Sequence, residues 1–192
     1  MLLLSVVVTA CSRSGASDVA LGGTDEERAY DLMQRKGQWS EIVHKNQESP
    51  VQSLACQKVV LMAHVRQGMG GREAVYECLA NSKDVLTSPL SALMMSDVYM
   101  QLGMVNMAQR AAFEALVKMP AKADNSRALR RLTETAIITK QYDLAIKYIG
   151  LLEKKSAHHD WASSMRQMIV HPTPEFEKFQ RNYENTEDQF FL

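Results

Sequence analysis

Residues 91–120 have the sequence SALMMSDVYMQLGMVNMAQRAAFEALVKMP, and this stretch decides the fold. Apolar residues recur every three or four positions on both sides of Gly103, which is the spacing of amphipathic helices. Pro120 ends the second run, because proline cannot continue a helix. Ser96 and Ala108 are small enough to let two helices cross closely. The stretch therefore predicts a helical hairpin.

The same helical pattern extends along most of the chain. Helix-start signals occur at Thr24, which forms a capping box with Glu27, and at the pairs 88–89 and 173–174, where proline follows an N-cap residue. The alternation that is typical of strands is scarce, and no convincing strand remains. Apolar periodicity predicts helices over 25–36, 39–47, 51–67, 71–82, 89–102, 105–119, 125–139, 142–155, 158–169 and 174–184.

The composition indicates an ordinary globular domain with no overall charge. The 192 residues are 46% hydrophobic and 23% charged, and 22 Lys and Arg balance 22 Asp and Glu. A neutral chain has no global basic field to concentrate nucleic acid, so we expect no nucleic-acid partner. Short charge runs such as Arg127, Arg130 and Arg131 favour solvated helix faces.

The amino terminus predicts where in the cell the protein is located. Residues 1–11, MLLLSVVVTAC, are apolar or small up to Cys11, and residues 12–23 are polar and glycine-containing, which is typical of a flexible tether. Residues 8–11 resemble a bacterial lipobox, which implies that Cys11 is lipidated and anchors residues 24–192 to an envelope membrane. Two alternatives stay open: the tail of a truncated transmembrane helix, since ten apolar residues alone cannot cross a bilayer, or an apolar start of a cytosolic helix.

Two further cysteines, Cys56 and Cys78, lie on consecutive predicted helices. In an oxidising envelope compartment they form an even pair that a disulfide can join. The alternative is that both are small buried apolar residues.

The hairpin at 91–120 resembles a tetratricopeptide repeat, a helical pair of about 34 residues. The matching positions are Ala92, Met95, Ser96, Tyr99, Gly103, Ala108, Ala112, Ala115, Leu116 and Pro120. Weaker copies span 129–152, 57–81 and 30–42, and Lys140 stands where the repeat usually has glycine. The resemblance implies an all-α fold: a right-handed α-solenoid of about three to four TPR-like helical hairpins with a C-terminal capping helix.

The chain as a whole also resembles the soluble end of an uncharacterised family of bacterial envelope proteins. The resemblance lies in the apolar start, the stretch RALRRLTETAIITKQYDLAIKYI at 127–149, and the DQFF tail at 188–191. Longer members of that family carry transmembrane helices ahead of such repeats. This agrees with the predicted location in the cell envelope but implies no activity.

No motif in the chain predicts catalysis. Serine, histidine and aspartate occur without a nucleophile elbow, and no glycine-rich loop follows a strand. The densest candidate is His158-His159-Asp160-Trp161, whose adjacent histidines point about 100° apart on a helix and do not share one metal ion as residues four apart would. One alternative stays open, in which His159 or Asp160 joins His64 or His171 in space. We therefore expect no enzyme, no cofactor and no metal site.

Repeat arrays bind partners on a concave face that is lined by the first helix of each pair. The positions implied for this groove are Lys58, Met62, Arg66, Asp97, Met100, Gln101, Arg130, Glu134 and Ile137. Their mixture of charge and methionine suits an extended peptide or a partner helix. Chaperone-binding repeats grip a carboxylate with asparagine and lysine, whereas Met62, Asp97 and Glu134 stand here, so no such clamp is expected.

Methionine is abundant in the best repeat, at positions 94, 95, 100, 104 and 107. Such residues serve either as adaptable core filler or as a binding surface. Three alternatives stay open for the predicted groove. It binds a partner, it is only solvated, or the last segment of the chain fills it.

Two functions follow from these expectations. The first is a membrane-anchored, non-catalytic scaffold of the bacterial cell envelope, with a periplasmic domain that binds a protein or peptide partner in the groove. The second is a soluble accessory domain of an envelope transporter or membrane enzyme.

Overall fold

The structure is a computed structural model that describes residues 21–69, 71 and 85–181. Within these residues the regular secondary structure is entirely helical, so the all-α prediction is confirmed there. The helices are α1 (Asp25–Arg35), α2 (Trp39–Glu48), α3 (Leu54–Arg66), α4 (Pro89–Gln101), α5 (Val105–Lys118), α6 (Ser126–Ile138), α7 (Tyr142–Leu152), α8 (His159–Val170, after a 3₁₀ turn at Ser156–His158) and α9 (Pro174–Arg181). The helix predicted over 71–82 lies outside the described residues beyond its first position.

The predicted helix starts are confirmed by their capping hydrogen bonds. The backbone N–H of Glu27 donates to Thr24 Oγ1 at 3.1 Å, and the N–H of Thr24 donates to Glu27 Oε2 at 2.9 Å. Ser88 caps α4 in the same reciprocal way with Ser91, and Pro89 occupies the first turn. These side chains satisfy backbone donors that have no partner within the helix.

Four helices end in the same left-handed turn. In these four turns the residue with positive φ is Gly37, Gly68, Gly103 or Lys140, at 67°, 77°, 81° and 60° respectively. At each turn this residue donates its N–H to the carbonyl three positions back, and the next residue donates to the carbonyl five positions back, at 2.8–3.1 Å. This is the Schellman arrangement. The turns recur after 31, 35 and 37 residues, so the same helix-and-turn unit recurs along the chain.

Lys140 offers a direct test of this recurring turn. A side chain at positive φ carries a conformational cost that glycine avoids, on the order of 1 kcal/mol. Lys140→Gly should therefore raise the free energy of unfolding by about 1 kcal/mol, measured by urea denaturation. Lys147→Gly, in the interior of α7, should lower it by a similar amount. If Lys140→Gly destabilised the chain as much as Lys147→Gly does, the left-handed turn would be contradicted.

The quoted hairpin is formed by α4 and α5, which cross at their small residues. Ser96 and Ala108 are 1% and 0% exposed, and Ser96 Oγ donates to the carbonyl of Ala108 at 2.8 Å. The next helices continue the layer, because α5 packs on α6 and α6 packs on α7. The hairpin prediction is confirmed.

Helix α1 packs across α3 and α4. The buried Gln34 donates from Nε2 to the carbonyl of Met94 at 3.2 Å, and the N–H of Leu90 donates to the carbonyl of Leu21 at 3.1 Å. Leu21 is 7% exposed, so the last residues of the predicted tether over 12–23 belong to the packed unit. The consequence for function is that α1 covers part of α4.

Cys56 is a buried thiol on α3. Burial raises the pKa of the thiol to about 12, and the carboxylate of Glu26 adds to the shift. Cys56 therefore packs as a small apolar side chain. Cys78 lies outside the described residues, so a disulfide between the two stays a prediction.

Candidate functional site

The residues predicted to line the groove separate into buried and accessible groups. Met62, Met100 and Ile137 are 2%, 6% and 1% exposed, so the prediction that they face a partner is wrong. Met62 and Met100 pack in the main core, and Ile137 packs beside Phe176 of α9. Met100 is covered because α4 has α1, α3, α5 and α6 as neighbours, which leaves little of its surface open.

Arg66 and Arg130 both stack on tryptophan rings. The guanidinium of Arg66, which is exposed, lies 5.7 Å from the ring centroid of Trp39. The guanidinium of Arg130 lies 4.5 Å from the centroid of Trp161 on α8. Arg130 therefore points toward α8, and the structure does not give it a hydrogen bond with Asp97. Lys58 is half-buried on α3.

Asp97 is held by two arginines of α6. Asp97 Oδ2 accepts from Arg127 Nη2 at 2.6 Å, and Asp97 Oδ1 accepts from Arg131 Nη2 at 2.7 Å. Arg127 and Arg131 are four residues apart, so both lie on one face of α6 and reach the same carboxylate. Arg131 also donates from Nη1 to Glu134 Oε2 at 2.7 Å. Arg131 therefore links Asp97 and Glu134, which are both predicted groove residues.

The same cluster reaches back to α1. Arg127 Nη2 donates to Asp31 Oδ1 at 2.7 Å, and Arg35 Nε lies 2.9 Å from Asp31 Oδ2. We call these residues the Asp97 network; its members, three carboxylates and three guanidinium groups, are Asp31, Arg35, Asp97, Arg127, Arg131 and Glu134. The network balances its charges and joins α1, α4 and α6.

The network is largely shielded from water. The side chain of Asp31 is 3% exposed, and those of Asp97 and Arg131 are each 18% exposed. Burial alone would raise the pKa of Asp97, but the guanidinium groups of Arg127 and Arg131 outweigh burial and hold this pKa at about 2. Asp31 and Asp97 likewise raise the pKa of Arg127 above its usual range against the effect of burial. Asp97 and Arg127 therefore stay charged near neutral pH.

The depressed pKa of Asp97 predicts a loss of stability in acid. A carboxyl whose pKa falls on folding stabilises the folded state above its ordinary pKa near 4, and this stabilisation is lost as the pH falls toward 2. The loss should be about 2 kcal/mol. Urea unfolding at pH 5 and at pH 2 should show this extra loss in the wild-type chain relative to Asp97→Asn. Identical pH profiles would mean that Asp97 is not ion-paired in the folded chain.

The Asp97 network is a clamp between helices rather than a set of groups that await a ligand. Both carboxylate oxygens of Asp97 are engaged, so this predicted groove residue is used to hold α6. Gln101, one helical turn further along α4, is half-buried and its Oε1 has no hydrogen-bond partner among the described residues. Sequence reasoning missed Asp31, and it assigned Arg127 and Arg131 to a solvated face, which is wrong.

The histidine-rich stretch shows no sign of a shared metal ion. Within the described ranges, no group of three or more His, Cys, Asp or Glu residues is arranged to hold one. Burial lowers the pKa of His158, and Asp160 is exposed at the start of α8. The pair His159–Asp160 is a surface contact at 3.5 Å.

An open cavity of about 490 Å³ lies between α1 and α2. Its lining mixes apolar and charged side chains: Ala29, Leu32, Met33, Lys36, Gln38, Glu41, His44, Lys45 and Glu48. None of the predicted groove residues lines this cavity.

Comparison with known proteins gives a family but no activity. The model of a family described as "Family of unknown function (DUF6057)" matches residues 4–192. Neither the search of curated proteins nor the search of solved structures gave a match. Across the described residues, no helix is long and apolar enough to cross a membrane.

Proposed function

Because the chain belongs to the DUF6057 family, whose description gives no function, we propose from its own residues that it is a membrane-anchored, non-catalytic scaffold that binds a protein or peptide. The repeat architecture in this proposal is a right-handed α-solenoid of about three to four TPR-like hairpins with a C-terminal capping helix. Its place is the bacterial cell envelope, with the helical domain in the periplasm.

The recurring left-handed turn is the observation that carries the proposal. Successive helices pack together along most of the described chain and the same turn recurs at 37, 68, 103 and 140, which supports a repeat array. Such arrays present extended surfaces to other proteins, and their function comes from surface residues rather than from one catalytic centre.

The accessible part of the groove lies mainly on α3. Of the predicted groove residues, Arg66 is exposed, and its guanidinium over Trp39 offers a flat cationic surface. Leu54, at the start of the same helix, is 47% exposed. Arg66 and Leu54 lie at opposite ends of α3, about 18 Å apart, so they suit an extended partner segment that carries an acidic and an apolar side chain. We propose that the partner runs along α3.

Affinity capture tests the scaffold function. The full chain, tagged at its carboxyl end, should retain a specific protein from detergent extracts of bacterial envelopes, identified by mass spectrometry. Arg66→Glu should abolish this retention, because it reverses the charge offered to the partner. The substitution removes one exposed contact with Trp39, so the free energy of unfolding should fall by no more than about 1 kcal/mol. If no protein were enriched over a tag-only control, the scaffold function would fail.

Membrane anchorage through Cys11 is a separate prediction. A single acyl chain binds membranes only marginally, whereas a diacylglycerol with its two chains holds a protein firmly. Cys11→Ser should therefore move the protein from the membrane pellet to the soluble fraction after cell lysis and ultracentrifugation. Cys56→Ser is the matched control and should stay in the pellet, because Cys56 is a buried thiol. Mass spectrometry that found an unmodified Cys11 on the intact membrane-bound chain would contradict lipidation.

A further inference from the structure

The last described helix, α9, inserts an aromatic side chain into a pocket between three other helices. Phe176 is 5% exposed and packs with Ala136 and Ile137 of α6 and Ala145 of α7. Partly buried side chains complete the walls of this pocket: Tyr142, Leu144, Met165, Met168 and Ile169. Two of the three buried partners, Ala136 and Ala145, are small, which leaves room for an aromatic ring. We call the place that Phe176 occupies the Phe176 pocket.

A buried amide lies one helical turn after the aromatic ring. Gln180 is 7% exposed, and its Nε2 donates to the carbonyl of Ile137 at 2.8 Å and to Tyr142 Oη at 2.9 Å. The carbonyl of Ile137 also accepts from the N–H of Lys140 in the left-handed turn, which uses the second lone pair of the oxygen. The amide of Gln180 therefore donates to two acceptors on either side of the turn at Lys140, the carbonyl of Ile137 and Tyr142 Oη.

Among the described residues, helix α9 is held by two buried side chains. It spans eight residues, and these side chains are Phe176 and Gln180. Helices of this length are marginal by themselves in water. The segment that joins α9 to α8 is only residues 171–173, so α9 is presented to its pocket at a high effective concentration. The described contacts thus assign its docking to these two side chains and the short connection.

We propose that the Phe176 pocket is a recognition site for a partner helix that presents an aromatic side chain and, four residues later, a primary amide. Helix α9 occupies the pocket as an intramolecular ligand, and the partner binds by displacing it. This inference rests on the proposed scaffold function and gives the partner a second contact in addition to the one on α3. Anchors at positions i and i+4 are the usual signature of a helix that docks in a groove.

The buried amide supplies the specificity in this proposal. A helix with an aromatic side chain but no amide would lose two hydrogen bonds: Tyr142 Oη would lose this donor, and the carbonyl of Ile137 would keep only the N–H of Lys140. A carboxylate at the same place cannot donate to the carbonyl. Glutamate is nearly the same shape as glutamine, so the exchange isolates the hydrogen bonds from the packing.

A peptide that copies α9 tests the site in solution. The probe is a fluorescein-labelled peptide of residues 171–181, and the receptors are the wild-type chain and the chain with Phe176→Ala and Gln180→Glu, which empties the pocket. The emptied receptor should bind the probe at least about tenfold more tightly than the wild type, in which α9 competes at a millimolar effective concentration. Binding is measured by fluorescence polarisation up to millimolar receptor.

Three controls make the result specific to the pocket. The probe with Gln180→Glu should lose binding to the emptied receptor, and Tyr142→Phe in that receptor should weaken binding about fivefold, because one acceptor is lost. A receptor with Lys178→Ala, an exposed residue of α9, should behave as the wild type. If the doubly substituted chain lost its helical circular dichroism, the chain with Gln180→Glu alone would serve as receptor.

The outcomes separate the pocket from the scaffold function. Equal binding by emptied and wild-type receptors, no binding by the emptied receptor, or equal binding of the Gln180→Glu probe would each overturn the inference. Capture of a partner by the wild-type chain would still support the scaffold in those cases. If the emptied receptor bound the probe tightly but the full chain captured no protein, the Phe176 pocket would be supported as a binding site and the scaffold function would be contradicted.

Discussion

Arg127→Met should lower the free energy of unfolding by about 3 kcal/mol. Arg127 bridges Asp31 and Asp97, so its loss leaves two negatively charged groups in a largely buried place with less compensation. Removal of one partner from a buried ion pair usually costs about 3–5 kcal/mol, and the lower end applies because the Arg127 side chain is still 23% exposed. Methionine keeps much of the apolar stem, so the charge is the main change. Urea denaturation followed by circular dichroism at pH 7 measures the effect.

Arg130→Met is the matched control for this prediction. It lies in the same helix, but its guanidinium stacks on Trp161, and the loss of that contact should cost no more than about 1 kcal/mol. Asp31→Asn should recover part of the loss when it is combined with Arg127→Met, since it removes a buried charge that has lost one of its two arginine partners. Equal losses for Arg127→Met and Arg130→Met would contradict the buried Asp97 network.

Met95→Ala should also lower the free energy of unfolding by about 3 kcal/mol. Met95 is 0% exposed on α4, and replacement of a buried methionine by alanine removes its apolar contacts and leaves a cavity. The prediction distinguishes core packing from a binding role for the methionines in the quoted hairpin. Thermal and urea unfolding of the purified chain give the measurement.

Met69→Ala is the comparison for Met95→Ala. Met69 is 44% exposed just after the turn at Gly68, so its truncation should change the free energy of unfolding by less than about 0.5 kcal/mol. A loss for Met95→Ala as small as that for Met69→Ala would show that the α4 core is not packed as described.

The helices and turns could be predicted because their causes are local. The capping box at Thr24 and Glu27, the proline at 89 and the glycine at 103 each act within a few residues of a helix end. Even the exception at Lys140 was visible as a non-glycine residue at a turn position. Local signals of this kind need no knowledge of the rest of the chain.

The candidate groove could not be predicted because its coverage depends on distant contacts. Gln34 meets the carbonyl of Met94 at a separation of 60 residues, and Arg127 meets Asp31 at a separation of 96. One signal was present in the sequence: α4 is apolar on nearly all sides, with buried Leu90, Leu93 and Met94, and such a helix is enclosed rather than half open. That pattern would have removed Met100 from the groove.

The partners of the neighbouring arginines in α6 also could not be predicted from the sequence. Arg127 and Arg131 turn toward Asp97, whereas Arg130 turns toward Trp161, and composition alone treated all three as a solvated charge run. Their helical spacing separates Arg130 from the other two, but the partner of each arginine is set by which helices pack against α6.

The most direct test of the scaffold function is quantitative affinity capture with three full-length chains: wild type, Arg66→Glu and Lys122→Glu. Lys122 is an exposed residue of the segment between α5 and α6, so it matches the charge change at a distant place. The account predicts a protein that is enriched by the wild type and by Lys122→Glu and is lost with Arg66→Glu. Failure of the wild-type chain to enrich any envelope protein, or equal capture by all three chains, would contradict it.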